Sequence, residues 1–219
     1  MINTLESESS VAIKWFKNND MFANPDKFQA IIVNNKKKIR DNYILNINDT
    51  AIVTTDSVTL LGIEIDNELN FNNHVTTICK KASNQLNALE SLQNFLGKIE
   101  KEIMLNSFIY SNFNYCPLVW HFCSKKSTNK IEKIQVRCLR MLSGDYNSNY
   151  EKLLSKLNDV TMETKRHQSL AIEIFKTREN LNLSFMKDIF SYSPYPTHKN
   201  ENLFIQERMT VRFGENSLK

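Results

Sequence analysis

The chain has 219 residues, 41% apolar, 24% charged and 10% aromatic, and 28 Lys+Arg against 24 Asp+Glu leave a formal net charge of +4. Four Gly and four Pro exclude collagen-like, Gly-loop-rich and Pro-rich low-complexity architectures. No apolar run of about 18 residues exists to span a bilayer, and the polar, acidic start Met1–Glu8 has none of the pattern of a secretory signal.

In chain order, residues 5–22 read as a helix carrying apolar Val11, Trp15 and Phe16. It is expected to stop before Asn24-Pro25, because the residue preceding Pro is steered away from helical geometry. Phe28–Val33 is a strand-like run ended by Asn34, Asn35 and Lys36–Lys38. Two short β-rich runs, Tyr43–Ile47 and Ala51–Thr54, flank Asn48-Asp49, which has the composition of a hairpin turn. Val58–Ile65 reads as a fourth strand, in which Gly62 permits a bend or a close backbone approach.

After Asn70 the period changes from two to three and four. Val75, Ile78, Cys79, Ala82, Leu86, Leu89, Leu92 and Phe95 mark an amphipathic helix of about 20 residues, with Gly97 at its end. Ile99–Phe113 repeats the pattern with Ile103, Phe108 and Ile109, then runs into Tyr115–Trp120, where Pro117 is expected to kink or restart the helix. Ser127 or Thr128 can cap a third helix that continues through Ser143 and stops at Gly144. Further helices are expected at 148–158, 163–180 and 184–190. The expected fold class is α+β, mostly α: a small antiparallel sheet in 1–70, a helical domain over 71–190, and an irregular or flexible tail over 191–219.

Chemistry is sparse. Cys79, Cys116, Cys123 and Cys138 have no paired spacing and read as reduced, small apolar residues of an intracellular protein, cytoplasmic or nuclear. Cys116, His121 and Cys123 lie close together, but a structural zinc site needs paired ligands, so core packing is the expected role. His74 is expected to cap a helix or sit at the surface, and His167 and His198 have no convergent partners in sequence. Neither a G-x-G-x-x-G nor a Walker A pattern occurs. No Asp-Asp pair occurs either; Asp41, Asp49, Asp56 and Asp66 lie singly around turns, where local hydrogen bonding is their ordinary work. No metal is expected. The clearest signal is Lys126, Lys130, Lys133, Arg137 and Arg140, spaced by four, three, four and three residues and therefore on one helical face. Ile131, Ile134, Cys138 and Leu142 form the adjacent apolar stripe. Glu132 alone interrupts the local positive charge, so the line reads either as a surface for a phosphate backbone or as an ordinary solvated helix face.

Four segments follow one another in a recognisable order: Trp15–Phe28 with its Asn24-Pro25-Asp26-Lys27, Leu60–Asp66 followed by Leu69, Phe71 and His74, Phe113–Trp120, and Asn129–Arg140 with Asp145 and Tyr146 beyond. Their order resembles the late palm and thumb of non-LTR (LINE/jockey-like) retrotransposon reverse transcriptases. It implies that residues 5–57 correspond to the end of the palm, 58–66 to a primer-gripping strand pair and 74–143 to the thumb. Lys27 would match a leaving-group assistant, and Leu61, Gly62 and Ile63 would approach the primer end. The family's Asp-Asp motif lies upstream of the Trp-bearing helix and is not in this chain. The expectation is therefore a fragment of an RNA-directed DNA polymerase, inactive alone, with no cofactor of its own, Mg²⁺ being expected only for an intact family member. Its expected partner is the backbone of an RNA–DNA or DNA duplex, weakly bound, with no membrane. The alternatives are a non-functional remnant or a helical protein–protein interaction module, with Leu118, Trp120 and an exposed sheet edge as its contact surface.

Overall fold

The computed structural model describes residues 2–33, 43–47 and 50–183, and 61% of these are helical. The fold is α+β and mostly α, with few strands. The expected helix at 184–190, the tail 191–219, Asn34–Lys38 and the Asn48-Asp49 turn lie outside the described residues. The chain divides into two compact units, Met1–His74 and Val75–Lys219.

The first unit contains α1 (Ile2–Asn18), a 3₁₀ turn (Pro25–Lys27), β1 (Ala30–Ile31), β2 (Ile44–Ile47), β3 (Thr50–Thr55), β4 (Ser57–Leu60) and β5 (Ile63–Asp66). α1 ends before the sequence-based limit of residue 22. Asp20 turns left-handed at φ 55°, and the Asn19 amide donates to the Trp15 carbonyl at 2.8 Å, satisfying one of the acceptors a helix end leaves open. The 3₁₀ turn is set by Asn24, whose side chain accepts from the Asp26 N–H at 3.0 Å, and by Pro25, which needs no donor in the first position.

β3 is the central strand of the larger sheet. β2 pairs antiparallel to it, Leu45 opposite Ile52, and the two-residue β1 adds parallel on the other side, Ala30 opposite Thr54. Alternation puts Leu45, Ile52 and Thr54 into the interior and leaves the directly paired Ile44 and Val53 exposed on the other face. The open edge of β2 is covered rather than bare: the Asn46 N–H, which points away from β3, donates to the Glu6 carboxylate of α1 at 2.7 Å. The apolar residues expected to bury α1 do not do so; Val11 is 67% and Trp15 57% exposed.

Val58–Ile65 is not one strand. It is part of a hairpin, β4 antiparallel to β5 with Leu60 opposite Ile63, turned by Leu61 (φ 48°) and Gly62 (φ 82°). Two consecutive positive φ values are what a two-residue I′ hairpin turn requires, and Gly62 adopts one without steric cost. Beyond β5, the buried Asp66 carboxylate accepts from the backbone N–H groups of Glu68 (3.1 Å), Asn70 (3.1 Å) and Phe71 (2.7 Å), folding the loop that leads into the next helix.

That helix, α2 (Asn72–Leu92), runs on into the second unit. There it is followed by α3 (Lys98–Met104), a π-helical turn (Leu105–Tyr110), α4 (Ser111–Asn114), α5 (Lys125–Ser143), α6 (Tyr150–Leu157) and α7 (Met162–Arg178). The core gathers Val75, Ala82 and Leu86 of α2, Leu105, Ile109 and Phe113 around the π turn, Trp120, Ile131, Cys138 and Leu139 of the middle of the chain, and Leu153 and Met162 of the last helices. The π turn shifts the helical register: Ile103 and Phe108, expected on the packed face, are exposed, as is Ile99, whereas Ile109 is buried as expected and Leu105 and Tyr110 join it. Helix ends follow sequence chemistry. Ser124, not Ser127 or Thr128, is the N-cap of α5, and those two residues are buried one turn inside it. Asn149 and Thr161 cap α6 and α7, and Gly144 (φ 64°) and Asn158 (φ 50°) supply the left-handed stops after α5 and α6.

Candidate nucleic-acid interface

The basic line on α5 is built as its spacing requires. Ile131, Ile134 and Cys138 are buried and Leu142 is half-buried, and this anchors the helix; the hydroxyl of Ser124 starts it and Gly144 ends it. Lys126 and Lys133 are exposed, while Lys130, Arg137 and Arg140 are half-buried. From Lys126 to Arg140 the line is about 21 Å long at ~1.5 Å per residue.

Counter-charge is not absent, as the α5 sequence alone suggested; it comes from another helix. Arg137 Nη2 pairs with the Glu90 carboxylate of α2 at 2.7 Å and donates to Asn87 Oδ1 at 2.7 Å, and Lys130 Nζ donates to the Thr76 hydroxyl at 2.9 Å. Arg140 has its Nε buried with no hydrogen-bond partner. The middle of the line therefore also holds α5 against α2. The same contact line identifies a residue that spacing on one helix could not reveal. Lys80, one turn beyond Thr76 on α2, is exposed and on the side of α2 that meets Lys130 and Arg137.

Glu132, the single acid within α5, does not neutralise the line. Its carboxylate accepts from the N–H groups of Met162 (3.3 Å) and Glu163 (2.8 Å) and from the Tyr150 hydroxyl, so it caps the N-terminus of α7, where backbone donors and the helix dipole favour a negative charge. The buried Gln135 completes the cap. It accepts from Met162 N–H at 2.9 Å and donates to the Val160 carbonyl at 2.8 Å. The pattern S-x-x-E of local capping boxes does not find this arrangement, because the capping groups sit about 30 residues upstream on a different helix.

The other predicted positions fall as follows. In the first unit Lys27 is exposed at the end of the 3₁₀ turn, Leu61 and Gly62 form the hairpin tip with Leu61 81% exposed, and Ile63 is buried beneath it. His74 is buried, not at the surface. Its Nδ1 accepts from the Glu64 N–H at 3.4 Å, and burial lowers its pKa against the opposing pull of Glu64. In the second unit Cys79 and Cys138 are buried, and burial pushes their thiols up to about 11 and about 12; Cys116 is exposed. Asp145 organises its own turn, accepting from Ser148 through both backbone and hydroxyl, and this holds its carboxyl down at about 2. Trp120 is fully buried, so it belongs to the core and not to a partner surface; Leu118 is half-buried. Among the described residues no three His, Cys, Asp or Glu side chains are arranged to hold a metal ion, and no helix is long and apolar enough to cross a membrane.

Burial lowers the pKa of His121 as well as that of His74, so both bind protons more weakly folded than unfolded. In the window below the ordinary value of 6.5 the unfolded chain holds more protons, and stability falls with falling pH until the folded-state pKa is passed. Urea midpoints are expected to drop between pH 7.5 and pH 5.5, with a weaker drop for His74→Gln. An unchanged pH dependence in that variant would remove His74 from the explanation.

Comparison with protein-family models, curated proteins and solved structures finds no match to this chain.

Proposed function

We propose that this chain is the late-palm and thumb part of a non-LTR retrotransposon reverse transcriptase, and that its α5–α2 surface binds the sugar-phosphate backbone of an RNA–DNA or DNA duplex. The observation that carries the reading is the line of Lys126, Lys130, Lys133, Arg137 and Arg140, widened by Lys80, with its single intrahelical acid turned away to cap α7. Three of these cations, Lys80, Lys126 and Lys133, are exposed and sit on a rigid helical surface, the arrangement suited to sequence-independent phosphate contacts. Two features of the first unit agree with the resemblance. The hairpin Ser57–Asp66 occupies the segment matched to a primer-gripping strand pair, and the apolar Val11 and Trp15 of α1 are exposed as if a neighbouring part of a larger palm covered them.

These 219 residues contain no Asp-Asp pair to hold two metal ions, so polymerisation is not proposed for them alone. Lys27 then has no leaving group to assist. Fluorescence anisotropy with a labelled RNA–DNA hybrid tests the binding. Three phosphate contacts, one for each exposed cation, give a log–log salt slope of about −2.7, so affinity should fall roughly 40-fold from 50 to 200 mM salt. Salt-independent binding, or none at 50 mM, would sink the proposal.

A second reading, a protein–protein interaction module, is favoured by one observation. Phe95, Ile99, Ile103 and Phe108 are exposed apolar residues of α3 and its flanks.

A further inference from the structure

Arg166 on α7 is 3% exposed, and among the described residues no carboxylate pairs with it. Its Nη2 donates to the Thr128 hydroxyl at 3.3 Å and its guanidinium lies 5.5 Å from the centre of the Trp120 ring. Nε and Nη1 are buried with no hydrogen-bond partner. A buried cation in a native protein is ordinarily paired and fully hydrogen-bonded, because desolvation costs several kcal/mol that only an opposite charge offsets. Here two imidazoles, not a carboxylate, stand beside it. His121 lies beside the guanidinium, its Nδ1 also buried and unpartnered, and His167 packs its ring at right angles to that of His121 at 5.0 Å. Glu163, the acid that interacts with His121, has its carboxylate on Lys125 at 3.2 Å. Cys123 approaches the same Thr128 hydroxyl at 3.8 Å and stays uncharged, its thiol raised by burial.

We infer that Arg166, His121 and Thr128 form a binding site for a small oxyanion of the phosphate or sulfate class. The donors suit that chemistry: a guanidinium with two unfilled nitrogens, an imidazole nitrogen and a hydroxyl, converging from α7, the loop before α5 and the first turn of α5. His121 and Cys123 are only partly buried, so the cluster reaches the surface through that loop. An oxyanion there neutralises the guanidinium and favours the protonated form of His121. The Trp120 ring, 5.5 Å from the guanidinium, gives the cation an aromatic neighbour but no hydrogen-bond acceptor, so the free nitrogens remain for an anion.

The site shares no residue with the α5–α2 surface, and inorganic phosphate probes it without any nucleic acid. The experiment uses the full chain in potassium phosphate against potassium chloride at matched ionic strength, with thermal unfolding and the imidazole resonances of labelled histidine as readouts. Phosphate is expected to raise Tm saturably and to shift the His121 titration upward. Arg166→Lys keeps a charge but loses the fork, and one lost charge-assisted hydrogen bond should weaken the response about tenfold. Arg166→Met, an apolar side chain of similar length, is expected to fold and to abolish both responses. No phosphate-specific change in the wild-type chain would overturn the inference, and so would an undiminished response in Arg166→Met.

Discussion

Trp120→Ala is expected to cost about 3–5 kcal/mol of unfolding free energy, the largest loss for a single substitution in the second unit. The ring is fully buried, its Nε1 donates to the Tyr115 carbonyl at 3.3 Å, and it is the apolar floor under the Arg166 guanidinium. Truncation removes all three at once: the buried area, a satisfied carbonyl and the indole ring beside the guanidinium. A typical domain has about 5–15 kcal/mol in total, so this variant should be unfolded at a markedly lower urea concentration. Trp120→Phe separates the terms. It keeps most of the buried volume and gives up the N–H, so a loss of about 1–2 kcal/mol is expected. Val119→Ala, next along the chain but exposed, should change stability by no more than about 0.5 kcal/mol. A loss below about 1 kcal/mol for Trp120→Ala would mean that the ring is not part of a packed core.

The surroundings of Trp120 also lie beyond what local sequence encodes. Tyr115–Trp120 is a run of bulky apolar residues around Pro117, and such a run is equally consistent with a core segment and with a sticky surface. What decides it is the packing of Arg166 against Trp120 from 46 positions away, which no local pattern encodes. Local chemistry was legible where the determinants are local. The period of α5, its Gly144 stop, the length of α2 and the turn work of Asp66 all follow from nearest neighbours on the chain. The hairpin Ser57–Asp66 was read as one strand because Leu60 and Leu61 continue the apolar run across the turn, and Leu61 is an uncommon residue at positive φ. The exposure of Ile99, Ile103 and Phe108 escaped for a related reason. A π turn adds one residue to a turn, and every apolar repeat before it then faces a different direction from those after it.

The basic line shows both outcomes in one element. Its existence was readable from steps of four and three, but its division of labour was not. Lys130 and Arg137 each carry a hydrogen bond to α2, and Glu90 partly neutralises the latter, whereas Lys126 and Lys133 carry no ion pair among the described residues. Sequence spacing weights the five cations equally. The packing leaves Lys126 and Lys133 exposed and gives the middle of the line a structural role, and Lys80 of the neighbouring helix is exposed on the same side.

Charge reversal is therefore expected to act differently along the line. Lys80→Glu, Lys126→Glu and Lys133→Glu together remove three exposed cations, each change costing no more than about 0.5 kcal/mol of stability. If each cation neutralises one phosphate, the salt slope for the RNA–DNA hybrid becomes shallower by about 2.7, and the salt-dependent part of the affinity change over a fourfold dilution shrinks by roughly 40-fold. The introduced carboxylates repel the backbone as well, so binding at 50 mM salt should be lost. Arg137→Glu is the contrasting variant. It places a carboxylate against Glu90, where the wild-type pair is at 2.7 Å, and should lower the urea midpoint by disturbing the packing of α5 on α2. A triple variant that folds normally and still binds the hybrid with an unchanged slope would exclude the α5–α2 surface as the site of contact. The exposed apolar residues Phe95, Ile99, Ile103 and Phe108 would then be the surface left to explain, and polar substitution there, with self-association measured by sedimentation, would be the decisive comparison.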